Sequence, residues 1–170
     1  NGKTDDDVIW FISEYFKCVP QNLAKHLRNL DHLSFHSQQI PMLTKWDLQQ
    51  FGSKLKTFNF YGNHIEVISA DLFVFTRNLE FISFGDGKVK HVERGAFDYM
   101  WNLKELVFYY NLCNFGNYNS GANAYNRADV IKLIPKVESM CTNEEALMRY
   151  KYQLTQKYYD ELSTCNETNS

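Results

Sequence analysis

His32 and His36 are four residues apart, a spacing with metal-ligand potential. On a helix it would turn both imidazoles toward one ion. Here Leu33 and Phe35 alternate with them, which marks a strand. Side chains four apart on a strand share a face but stand roughly 13 Å apart, too far for a shared metal. His64 and His91 fall on separate turns, and Asp5-Asp6-Asp7 reads as a solvated acidic run. No nucleophile elbow, HExxH zinc motif, phosphate-binding loop or dinucleotide fingerprint occurs. The expectation is a chain with no catalytic residue, no metal and no cofactor.

The cysteines are Cys18, Cys113, Cys141 and Cys165. They lack CxxC spacing, which disfavours a zinc site or a thioredoxin-like motif. Their even number allows two disulfides in three connectivities. Asn166-Glu167-Thr168 is a complete glycosylation sequon, so Asn166 is a candidate acceptor and an oxidising, secretory route is expected. A net charge of −2 over 170 residues argues against nucleic acid as partner. No apolar run reaches the length of a membrane span. The polar opening, Asn1-Gly2-Lys3-Thr4, reads as a mature N-terminus from which a leader has been removed.

The remaining chemistry is aromatic: thirteen Phe, eleven Tyr and three Trp. A repeat positions them. Leu55, Phe58, Phe60 and Ile65 stand at offsets 0, 3, 5 and 10, with Asn63 at offset 8. The same frame fits Leu30, Leu33, Phe35, Gln38 and Ile40, then Leu79, Ile82, Phe84, Gly87 and Val89, then Leu103, Leu106, Phe108, Asn111 and Cys113. Starts at 30, 55, 79 and 103 give steps of 25, 24 and 24 residues. A degenerate repeat begins near 6. A last partial one is expected near 137, where Val137 and Met140 fill offsets 0 and 3 after an insertion at 114–126.

Offsets 3 and 5 alternate with polar neighbours, so each repeat contributes a short strand with one buried face. Successive strands should pair in parallel, and stacking buries what no repeat could bury alone. The offset-8 Asn side chain can satisfy backbone groups left open by the turn. That support should weaken where Gln38 and Gly87 replace it. Offsets 1, 2, 4, 6 and 7 project onto or beside the concave face. Tyr and Trp there suit macromolecular binding, because they bury much area with few rotors. The candidate contact residues are Trp10, His32, His36, Tyr61, Phe81, Asp86, Tyr109 and Tyr110.

Over residues 6–142 the sequence resembles the extracellular, arthropod-type leucine-rich-repeat proteins. It departs from them in its frequent Phe for Leu and in lacking paired-cysteine flanks. The resemblance implies an α/β class and a right-handed leucine-rich-repeat solenoid. Its parallel sheet would line the concave face, with a helix capping the C-terminus. Asn111-Leu112-Cys113-Asn114 with Cys141 looks like the closing cap of secreted members, which implies a Cys113–Cys141 disulfide; two buried free thiols are the alternative. Residues 1–5 would be an N-terminal extension and 143–170 a helix and tail, with Thr142-Asn143-Glu144-Glu145 as its capping box. Folded back along the repeats, that helix could carry Cys165 to Cys18. Folded outward, it leaves both thiols for interchain bonds.

The helix bears an apolar stripe: Leu147, Tyr150, Leu154, Tyr158 and Leu162. It either packs on the repeats or dimerises through residues 144–162, as in mosquito immune leucine-rich-repeat proteins, which place a coiled coil after the repeats. The expected function is secreted, non-enzymatic recognition of a protein partner on the concave face, in arthropod immunity or saliva. The alternative is a scaffold that oligomerises through its C-terminal helix and a cysteine.

Overall fold

A computed structural model of the chain describes residues 8–12, 16–114 and 123–159. The extension 1–5, most of the insertion, Leu162, Cys165 and Asn166 lie outside the described residues. The fold is mixed α/β, dominated by a parallel sheet and closed by two C-terminal helices. Strands β1 (Val8–Ile12), β2 (His32–His36), β3 (Thr57–Asn59), β5 (Phe81–Ser83) and β7 (Glu105–Val107) pair in that order, all parallel. Their register joins Val8 to His32, His32 to Thr57, Thr57 to Phe81 and Phe81 to Glu105. Each pairing advances by one repeat at offset 2, so the frame starting near 6 continues through the first strand. A second parallel pair, β4 (Val67–Ile68) with β6 (His91–Val92), recurs beyond the turn.

The repeat positions form the core. Leu33, Phe58, Ile82 and Leu106 at offset 3 are completely buried, and Phe35, Phe60, Phe84 and Phe108 at offset 5 are equally enclosed. The buried Asn63 donates from Nδ2 to the carbonyl of Phe35 in the preceding repeat at 2.8 Å, and to its own Phe60 at 3.3 Å. Asn111 repeats this toward Phe84 and Phe108 at 2.7 and 3.2 Å. Gln38 does not weaken the ladder as expected. Its longer side chain donates to Phe11 and His36 carbonyls and accepts from the Phe16 amide. Gly87 leaves a real gap, which Asn111 Oδ1 of the next repeat enters; a Cβ on Gly87 would meet that oxygen at 2.6 Å.

The repeat start expected near 137 is not there. Residues Arg127–Met140 form helix α3, capped by Asn126, whose side chain accepts from the Asp129 amide. Val137 and Met140 are three apart, a spacing common to the repeat frame and to a helix face. Val130 and Leu133 extend that face upstream, and with Val137 they seal the end of the core. Within the insertion, Asn123–Ala124 form β8, which pairs antiparallel with β7 and covers the edge it would otherwise expose. (The two short helices α1, Leu23–His26, and α2, Lys45–Gln49, lie in earlier repeats.)

Helix α4 (Glu144–Tyr159) is capped by Asn143 rather than Thr142; Asn143 Oδ1 accepts from the Ala146 amide, while Thr142 bridges to His91. The helix folds back across the repeats. Ala146, Leu147 and Tyr150 are buried against Val67, with Met42 and Leu154 beside them. Tyr150 donates from Oη toward Leu43 O and Ser69 Oγ, both at 3.3 Å, and Arg149 and Lys151 pair with Glu66 and Glu93. Of the two expected uses of the stripe, packing on the repeats is the one seen at Leu147 and Tyr150.

A disulfide joins Cys113 to Cys141, closing the insertion. Cys18 is also disulfide-bonded, so it is not a thiol held in reserve for an interchain bond.

Candidate protein-binding surface

The outward face of the large sheet carries the candidate contact residues, and the strands bring most of them together. Alternation turns Leu33 and Phe35 inward and leaves His32 and His36 partly exposed on the opposite face, where Ser34 between them is covered by its neighbours. Trp10 on β1 is 56% exposed and stacks on His32 of β2, with ring centres 5.4 Å apart. Four residues along, His36 stacks on Tyr61 at 4.8 Å with the planes 15° apart. Tyr109 leans toward Tyr61 at 6.2 Å and meets Tyr110 edge-on at 4.9 Å. Tyr61 Oη donates to Asp86 Oδ2 at 3.3 Å. His36, Tyr61, Asp86, Tyr109 and Tyr110 thus form one cluster, and Trp10 with His32 forms a second station. Phe81 stands half-buried between Thr57 and Glu105, its partners in register.

Burial, then the neighbouring Tyr109 phenol and the Asp86 carboxylate, push the Tyr61 phenol up to about 12. Tyr61 therefore stays protonated and remains a donor across the physiological range.

Two features of this cluster were not read from the sequence. The first is Gly85. Tyr61 and Tyr109 belong to repeats two strands apart, about 9.6 Å by strand spacing. Their rings approach because Gly85, just past β5 in the repeat between, has no side chain. A Cβ there would meet Tyr109 Cε1, Tyr61 Cδ2 and Val107 Cγ1, each at 3.2 Å. Gly85→Ala is expected to separate the rings at a cost of about 1 kcal/mol, since both can swing toward solvent. Near-ultraviolet circular dichroism should lose tyrosine coupling while thermal unfolding shifts only slightly; an unchanged spectrum would refute this account.

The second is offset 7. Ser37, Gly62, Asp86 and Tyr110 all adopt left-handed backbone, with φ of 56°, 70°, 53° and 55°. The chain turns there before the offset-8 side chain enters the core. Ser, Gly and Asp tolerate that region better than a bulky residue, so Tyr110 holds its place at a local cost. The small or polar types Ser37, Gly62 and Asp86 at offset 7 are the sequence signal of this turn.

Exposed rings on the other side of the repeats differ. Lys45 Nζ lies 5.0 Å from the centre of the Trp46 ring, and Arg77 covers Tyr99 at the same distance. A cleft of about 270 Å³ between α4 and the repeats is lined by His64, Glu66, Arg149 and Gln153 among others. Its charges are paired internally. Burial raises the Glu66 carboxyl, but hydrogen bonds and charge from Lys90 and Arg149 outweigh it and hold it below the usual range.

Stacked parallel strands one repeat apart, an amide ladder at offset 8 and an exposed aromatic sheet face define a leucine-rich-repeat-like fold. Two solved structures agree. Chains of the Toll–Spatzle complex, described as a molecular hub in Drosophila development and innate immunity, superpose with TM-scores of 0.56 and, in the glycosylated form, 0.55. In each, 23% of residues are identical, over 61% of this chain and 14% of the solved one. The chain thus spans about one-seventh of the length of those structures, and the likeness is one of fold alone. No family model matches the chain, and no curated protein matches it. Among the described residues, no helix is long and apolar enough to cross a membrane.

Proposed function

We propose that the chain is a secreted, non-enzymatic recognition protein, a right-handed leucine-rich-repeat solenoid that binds a protein partner on the concave face of its sheet. The observation that carries this reading is the meeting of His36, Tyr61, Asp86, Tyr109 and Tyr110 on one outward surface. Rigid rings and a hydrogen-bonding carboxylate are the chemistry of interface hot spots. The fold likeness to a complex described as an innate-immunity hub supports an immune setting, and the disulfides suit an extracellular one. The scaffold alternative lacks comparable support, since α4 spends its apolar face on the repeats.

The test is capture of the partner from native fluid by the purified chain. Tyr61→Ala combined with Tyr109→Ala is expected to weaken capture by about 30-fold, the size of a hot-spot loss. The unfolding temperature should move little. Undiminished capture by this folded variant would count against the sheet face.

A further inference from the structure

We infer that the segment received on this face is basic, presenting Arg or Lys side chains to the aromatic cluster; this deepens, and rests on, the proposed protein-binding role. The argument is charge complementarity. Offsets 2, 4, 6 and 7 of the five repeats contain no Lys or Arg at all. They do contain Asp86 and Glu105, and neither has a cationic partner among the described residues. Asp86 is exposed, and its contact with Tyr61 Oη leaves acceptor capacity open. Beside it stand the rings of Tyr61, Tyr109 and Tyr110. Glu105 stands beside the half-buried Phe81.

A carboxylate flanked by aromatic faces suits an Arg or Lys, which gains ion-pair and cation–π attraction at one place. The other side of the chain shows the same chemistry already satisfied. There Lys45 and Arg77 sit over Trp46 and Tyr99. Among the described residues, offsets 2, 4, 6 and 7 supply rings and carboxylates without a cation; Lys104, beside them at offset 1, is paired with Glu80 at 2.6 Å. Glu105 opens β7 at offset 2 and Asp86 lies in the turn past β5 at offset 7, so along the strand direction they are at most about 17 Å apart. An extended partner segment would meet both with basic residues up to about five positions apart.

The experiment uses the full chain and two dye-labelled Gly/Ser peptides of the same length. One carries two arginines about five residues apart and its twin carries two glutamates. The readout is fluorescence anisotropy. The arginine peptide should bind, weaken as salt rises from about 0.05 to about 0.5 M, and lose about tenfold in affinity with Asp86→Asn plus Glu105→Gln. Asn tolerates the left-handed backbone at 86, and Gln conserves shape at 105, so the variant should remain folded; its circular dichroism checks this. Equal binding of the glutamate twin, or undiminished affinity in the variant, overturns the inference. Partner capture separates the two levels. If Tyr109→Ala abolishes capture while Asp86→Asn plus Glu105→Gln does not, the face still binds protein but the basic segment is wrong. If neither affects capture, both readings fall.

Discussion

Truncating Phe60 to alanine is expected to lower the free energy of unfolding by about 3–5 kcal/mol, a large part of the roughly 5–15 kcal/mol that holds a domain together. Phe60 is 1% exposed and lies in the middle repeat. Its ring is 5.4 Å from Phe58, 6.0 Å from Phe35 and 6.1 Å from Phe84. Those contacts belong to three successive repeats, so a cavity there breaks the interface on both sides at once. In a stack, stability is roughly a sum of repeat and neighbour terms, and a central loss subtracts two neighbour terms. Phe11 supplies the control. It occupies the same offset in the first repeat, is only partly buried and stacks on Phe35 alone among the repeats that follow. Phe11→Ala should cost about half as much. Urea unfolding followed by far-ultraviolet circular dichroism measures both. A Phe60→Ala cost no larger than that of Phe11→Ala would mean that the repeats are not coupled through this column.

The core was legible in the sequence because burial imposes a period. An inward strand position must be apolar in every coil, so Leu33, Phe58, Ile82 and Leu106 declare both the strand and its register. The cap was less legible. Val130, Leu133, Val137 and Met140 fit a helix, but the last two also fit the next repeat, and local spacing cannot separate the two. Only the preceding segment, Asn126 to Val130, carries the discriminating cap. Gln38 shows the opposite case: the residue differs from its neighbours' Asn, yet its extra methylene still reaches the carbonyl of Phe11.

The candidate surface was legible as columns and not as contacts. Strand alternation says that His36 and Tyr61 share a face. It does not say that Tyr109 reaches Tyr61 across the strand between them. That depends on a vacancy at Gly85, and a single small residue in a column has no periodic signature. Nor does a stripe on α4 state its own partner. Leu147 and Tyr150 would suit a second helix as well as Val67, and the choice is made by the turn at Cys141–Asn143, which directs the helix back over the repeats.

That turn makes the second large effect. Replacing Cys113 and Cys141 together by alanine is expected to cost roughly 3–4 kcal/mol by loss of loop-closure entropy over a 28-residue separation. Alanine variants are needed rather than a reductant, because Cys18 is disulfide-bonded too. The entropy argument acts on the unfolded chain, and by itself it predicts the same loss for every part of the fold. The native structure predicts more. Cys141 accepts from the Val92 amide at 2.8 Å, Thr142 bridges to His91, and α4 starts two residues later on a small apolar cluster of its own. Without the bond, α3 still holds Val130, Leu133 and Val137 in the core, whereas α4 depends on those few contacts and on the Arg149–Glu66 and Lys151–Glu93 pairs. Exposed pairs of this kind contribute little, about 0–1 kcal/mol each. Hydrogen exchange should therefore accelerate first and most in residues 144–159, ahead of the strands at 32–36, 57–59 and 81–83. Equal acceleration along the whole chain would show that the disulfide only restricts the unfolded state, and that the repeats hold their C-terminal helices without it.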